Sequence, residues 1–94
     1  MIEQNFVQDK DWDDFRQIFE QVHQDFFQRL QRNSQDLTPS DLRLASLIRL
    51  NIPSKDIAVV LGISPDSLRI ARYRLRKKLG MTQGDSLSHF IGSL

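Results

Sequence analysis

Ser54-Lys55-Asp56-Ile57-Ala58-Val59-Val60-Leu61-Gly62-Ile63-Ser64-Pro65-Asp66-Ser67-Leu68 is the stretch on which the fold turns. It reads as a short helix over 54–61, a tight turn and a second helix. Ser54 is the expected N-cap of the first helix, and Ile57, Ala58 and Leu61 are its inward positions. Two helices that meet at a steep angle need a small side chain where they cross, and Ala58 supplies one. Gly62 accepts the left-handed conformation that stops the first helix, and Ile63 packs beneath the turn. Ser64-Pro65-Asp66 then gives the second helix a capping hydroxyl and a proline at its first position. Together these features meet the mechanical requirement of a helix–turn–helix.

The second helix runs to Leu79 and is stopped by Gly80. At about 100° per residue, Leu68, Ala71, Leu75 and Leu79 share a core side, while Asp66, Ile70, Tyr73 and Lys77 lie opposite. Arg69 and Arg76 flank one edge, Arg74 and Lys78 flank the other, and Arg72 stands at the core boundary. Six of the ten residues from Arg69 to Lys78 are basic and none is acidic. Arginine outnumbers lysine there, which suits forked contacts to phosphate or guanine. Ile70 and Tyr73 are apolar on an otherwise wet face, where they can touch a thymine methyl, the sugar–phosphate wall or another protein. The helix starts at Ser54 and Ser64 add backbone N–H groups suited to phosphate, and Lys55 adds a charge.

N-terminal to this unit, Trp12, Phe15, Phe19, Val22, Phe26 and Leu30 recur at three and four, which predicts one amphipathic helix over about 11–32. Residues 1–10 show no periodicity and read as a loose arm. Thr38-Pro39-Ser40-Asp41 is the start of another helix, with Thr38 as cap and Asp41 placed to reach back to it. That helix buries Leu42, Ala45, Leu47, Ile48 and Leu44, and ends near Asn51 because Pro53 disfavours helix at Ile52. A last short helix spans about 85–91. The expected fold is all-α, a small bundle of about five helices, with an arm and packing helix over 1–36 and a DNA-binding unit over 37–94. The aromatic stripe reads as core against the helix–turn–helix, or else as a dimer seam or signalling link. Phe27, off the stripe, is the candidate partner contact.

Composition narrows the function. Ninety-four residues suit one domain, and a hydrophobic share of 39% suffices for a small core. The absence of cysteine excludes disulfides and thiolate metal sites and fits a reducing compartment. No apolar run reaches the roughly 18 residues of a membrane span, and the polar, acidic start carries no signal peptide. A cytoplasmic chain with no membrane contact is therefore expected. The net charge of +1 is unevenly spread: residues 1–36 carry four basic and eight acidic groups, residues 37–94 nine and four. A polyanion would meet the second part.

The span Leu37–Met81 resembles the LuxR/GerE-type helix–turn–helix. The family's opening Leu-Thr-x-x-Glu is matched by Leu37-Thr38-Pro39-Ser40-Asp41. Its Ser-Asn-Lys-Glu-Ile-Ala is matched by Pro53-Ser54-Lys55-Asp56-Ile57-Ala58, its Ile-Ser-x-x-Thr-Val-Lys by Ile63-Ser64-Pro65-Asp66-Ser67-Leu68-Arg69, and its Lys-Leu-Gly-Val by Lys78-Leu79-Gly80-Met81. The run Ile70-Ala71-Arg72-Tyr73-Arg74-Leu75-Arg76-Lys77-Lys78-Leu79 resembles a signature in the C-terminal regulatory module of Bacteroidetes membrane sensors and tetratricopeptide regulators, and the preceding aromatic helix, Trp12 to Leu30, resembles theirs. The resemblance implies a tetrahelical DNA-binding unit with base-facing positions at Arg69, Ile70 and Tyr73 and a backbone-contacting lysine at Lys78. Ala71 replaces the family's usual histidine and Arg69 its lysine, so no operator preference carries over.

The expected function is sequence-specific binding of double-stranded DNA by a transcription regulator. Arg69, Ile70 and Tyr73 would read bases, while Ser54, Lys55, Ser64, Ser67, Arg72, Arg74, Arg76, Lys77 and Lys78 would hold the backbone. Expected partners are duplex DNA, a second copy of the chain and an upstream sensor domain in a longer chain. Two alternatives are a promoter-binding domain like sigma-factor region 4 and a helical interaction module in which the helix–turn–helix is scaffold. His23 and His89 stand apart from any ligand cluster, and Asp11, Asp13 and Asp14 read as a solvated helix start, so no metal or other cofactor is expected. No nucleophile elbow, Ser-His-Asp arrangement or Gly-rich phosphate loop is present, and no catalytic site is expected.

Overall fold

The computed structural model describes residues 9–82 and 84–94, with side chains from Asp11 onward. All of the regular structure among them is helical: α1 (Asp9–Val22), α2 (Phe26–Asn33), α3 (Pro39–Arg49), α4 (Ser54–Leu61), α5 (Pro65–Lys78) and α6 (Leu87–Gly92). The expected loose arm falls outside the described residues for 1–8, while 9 and 10 already belong to α1.

The predicted single aromatic helix is two helices, which makes six among the described residues where about five were expected. No glycine or proline breaks it. Asp25 adopts φ 68°, a left-handed conformation that aspartate tolerates better than most residues. The chain re-enters helix when the Arg29 N–H donates to the Asp25 carbonyl at 2.9 Å. Aromatic packing favours the break. The Phe19 ring lies 5.5 Å from Phe26 and 5.4 Å from Phe27, whereas seven residues of unbroken helix rise about 10 Å. Each such ring pair contributes about 0.5–1.5 kcal/mol, so two offset the roughly 1–2 kcal/mol of one left-handed residue. The break also changes which residues are buried. Val22, expected in the stripe, is 72% exposed, and Phe27, expected as a partner contact, is only 5% exposed.

The start of α3 follows the expected capping box. Thr38 Oγ1 accepts from the Asp41 N–H at 3.2 Å, and Asp41 Oδ2 accepts from the Thr38 N–H at 2.9 Å. Leu42, Leu44, Ala45, Leu47 and Ile48 are buried, which makes α3 the central helix of the fold. Buried Ser46 donates its hydroxyl to the Arg43 carbonyl at 2.8 Å, so burial leaves it satisfied.

Helices α3, α4 and α5 end by one device. A left-handed residue follows each: Asn51 (φ 62°), Gly62 (φ 70°) and Gly80 (φ 70°). The next residue, Ile52, Ile63 or Met81, turns its N–H back to Leu47, Ala58 or Arg76 at 3.4, 3.0 and 3.0 Å. Each of these apolar residues packs against the core, so the stop satisfies carbonyls and buries a side chain together.

Arg49 ties the parts together. Its Nη1 donates to the carbonyls of Ile91 (3.1 Å) and Gly92 (2.7 Å), its Nε donates to His23 Nδ1 (3.4 Å), and its guanidinium lies 5.4 Å over the Phe26 ring. One residue thus links the α1–α2 break, the end of α3 and the end of α6. Trp12, Phe19, Phe26, Leu30, α3, α4, α5 and α6 share one hydrophobic cluster, so the aromatic helices belong to the same core as the helix–turn–helix.

Candidate nucleic-acid interface

Helix α4 packs on α5, and both pack on α3. Ile57 and Ala58 on α4 and Leu68, Leu75 and Leu79 at α5 are buried, with Ala71 partly so. Burying that side turns the opposite face of α5 outward. Ile70 is 48% and Tyr73 58% exposed. The Arg69 side chain is 77% exposed and holds Asp66 loosely, with Nη2 at 3.4 Å from Oδ1. Lys77 Nζ lies 5.4 Å over the Tyr73 ring, which braces that ring on the surface. Arg69, Ile70 and Tyr73 are thus brought together on one accessible face.

The other expected contacts divide. Lys55 and Arg74 are exposed. Ser64 caps α5, accepting from the Ser67 N–H at 3.1 Å and donating to Ser67 Oγ at 3.1 Å, so these two hydroxyls already serve the turn. Ser54 is not the cap of α4: Pro53 occupies that position and Ser54 is the first helical residue. Asp56 and Ile57 donate to the Pro53 carbonyl, both at 2.9 Å, so backbone geometry starts α4 without a side-chain cap.

Two of the cations have internal tasks that sequence spacing did not reveal. Lys78 Nζ donates to Asp41 Oδ2 at 2.6 Å, across 37 residues of chain. Arg76 donates from Nη1 to the Asp85 carbonyl and from Nη2 to the Thr82 carbonyl at 2.7 Å, holding the connection between α5 and α6. Arg49, the staple of the fold, was also not singled out by its sequence position. The Asp85 carboxylate is held below its ordinary pKa by hydrogen bonds from the Thr82 hydroxyl and N–H, with the Arg76 cation adding to them.

Arg72 has a distinct setting. With Ser54, Arg69, Tyr73 and Arg76 it lines a groove of about 400 Å³ between the start of α4 and α5. Burial lowers its guanidinium pKa, and the neighbouring Arg76 cation lowers it further. Among the described residues no group of three His, Asp or Glu side chains is arranged to hold a metal ion, and no helix is long and apolar enough to cross a membrane.

Comparison with known proteins gives no match, whether against family models, curated proteins or solved structures.

Proposed function

We propose that the chain binds double-stranded DNA sequence-specifically, as the effector unit of a transcription regulator, with α5 in the major groove. The observation that carries this reading is the outward face of α5. Arg69, Ile70 and Tyr73 stand exposed on the second helix of a tight helix–turn–helix, within a run of basic residues. A groove-entering helix needs its inner side buried in a rigid scaffold and its outer side accessible, and α5 has both. Exposed Lys55 and Arg74 add positive charge for the backbone on either side.

The test is selection of bound sequences from a random duplex pool, followed by a salt titration on the recovered duplex. Neutralising about five phosphates gives a slope of about −4 to −5 in log K against log salt. Failure to enrich any sequence, with no salt dependence, overturns the reading.

A second reading, a helical interaction module, is favoured by Ile18 and Val22. They sit one turn apart on α1 and are both exposed. It predicts self-association that Ile18→Asp abolishes, with no affinity for duplex DNA.

A further inference from the structure

Arg69, Arg72 and Arg76 recur at three and four along α5, so their side chains form one ridge. Like charges at this spacing repel, and a folded chain keeps them together at a cost. The ridge does not face open solvent throughout. It lines the groove of about 400 Å³ that Ser54 closes from α4. Arg72, at the centre of the ridge, is half-buried. Among the described residues it has neither a hydrogen-bond nor an ion-pair partner. Arg76 is anchored on the Thr82 and Asp85 carbonyls, which fixes one end of the ridge in place. Arg69 at the other end is free to swing, because its contact with Asp66 is exposed on both sides.

A half-buried cation with a cationic neighbour is an unfavourable arrangement unless an anion joins it. Arginine forks match the oxygens of a tetrahedral phosphate in pairs. The Ser54 hydroxyl supplies a further donor on the opposite wall.

We infer that the groove between α4 and α5 is the seat of a single phosphate oxyanion, held by Arg72 with Ser54, and that its occupant is one phosphodiester of a bound DNA backbone. The inference rests on the duplex reading for the identity of the occupant, but not for the oxyanion chemistry. A phosphate seated there joins α4 to α5 and sets the angle at which α5 enters the groove. Arg72 is therefore a positioning residue for the base-reading face, distinct from Arg69, Ile70 and Tyr73.

Two measurements on the full chain test it. In the first, side-chain Nε–H resonances of the arginines are followed by NMR while inorganic phosphate is added, with acetate at matched ionic strength as the comparison. Phosphate is expected to shift Arg72 saturably in the millimolar range, and acetate is not. Equal shifts with both anions, or none with either, overturn the oxyanion seat. In the second, Arg72→Gln, Arg72→Lys and the charge-matched Arg32→Gln, at an exposed position of α2, bind a mixed-sequence duplex and the selected one. Arg72→Gln is expected to lose about tenfold on both and to lower the salt slope by about one. Arg72→Lys recovers part of the loss, and Arg32→Gln stays within about twofold of the parent. If Arg72→Gln behaves as Arg32→Gln while the parent binds duplex with a steep salt slope, the seat is overturned and the duplex reading stands. If phosphate shifts Arg72 selectively while the parent binds no duplex, the oxyanion seat stands and the duplex reading falls. Thermal melting of each variant separates these results from loss of fold.

Discussion

Lys78 at the end of α5 donates to the Asp41 carboxylate at the start of α3 at 2.6 Å. The same Asp41 oxygen accepts from the Thr38 N–H at 2.9 Å, so a helix cap and an interhelical ion pair share one atom. Burial works to raise the Asp41 pKa, but the hydrogen bonds from Lys78 and Thr38 outweigh it, and the net shift is downward. A carboxylate with a lowered folded pKa stabilises fully above its unfolded value, and that contribution disappears as pH falls through the folded one. Asp41→Asn is therefore expected to destabilise the fold by about 1–2 kcal/mol at neutral pH. The deficit should shrink towards pH 3 and below. Urea unfolding of both proteins at a series of pH values checks this, and a deficit constant with pH would refute it.

The left-handed residue at the α1–α2 break gives a prediction of opposite sign for two substitutions. Asp25 has φ 68° and no side-chain cap bond to α2. Asp25→Gly should stabilise by up to about 1 kcal/mol, because glycine adopts this conformation without penalty. Asp25→Val should destabilise by about 1–2 kcal/mol. If α1 and α2 were one helix in solution, the glycine variant would be the weaker of the two; thermal melts distinguish the cases.

Gly80 stops α5 at φ 70°, and a Cβ placed there would meet nothing within 4 Å. The cost of Gly80→Ala is thus backbone strain alone, about 1 kcal/mol, and Gly80→Asn should cost less. Equal losses for both would show that something other than φ governs this turn. Chemical denaturation is a sufficient measurement.

Ile70, exposed on the outward face of α5, is suited to a thymine methyl. Replacing individual thymines of the selected duplex by deoxyuridine should weaken binding about three- to fivefold at one position. In Ile70→Ala the same replacement should have no effect. Fluorescence anisotropy across this double-mutant cycle reads the coupling, and purely additive losses at every thymine would remove Ile70 from base contact.

Local chemistry made much of the molecule legible from its residues. Thr38, Ser64, Gly62 and Gly80 mark helix ends through capping hydroxyls and left-handed turns, which depend on a few neighbouring positions. The periodicity of α5 separates Leu68 and Leu75 from Ile70 and Tyr73 for the same reason: one helix turns by a constant angle, and burial of one side exposes the other. Even the grouping of Arg69, Arg72 and Arg76 follows from their spacing at three and four. The helix–turn–helix and its outward face are therefore properties of the sequence.

What tertiary structure decided depends on distances that chain spacing does not encode. Nothing in the stripe from Trp12 to Leu30 announces a break. Asp25 turns left-handed because Phe19 can then meet both Phe26 and Phe27, and Phe27 is drawn inward as a result. Among the basic residues of α5, composition alone does not tell which are available to a ligand. Lys78 is drawn to Asp41 and Arg76 to the Thr82 and Asp85 carbonyls, while Arg72 is left half-buried against the start of α4, with no hydrogen-bond or ion-pair partner among the described residues. The sequence determined where the charges lie along the helix. Packing decided which of them stay inside the fold, because a cation pairs with whatever acceptor the folded chain brings within reach.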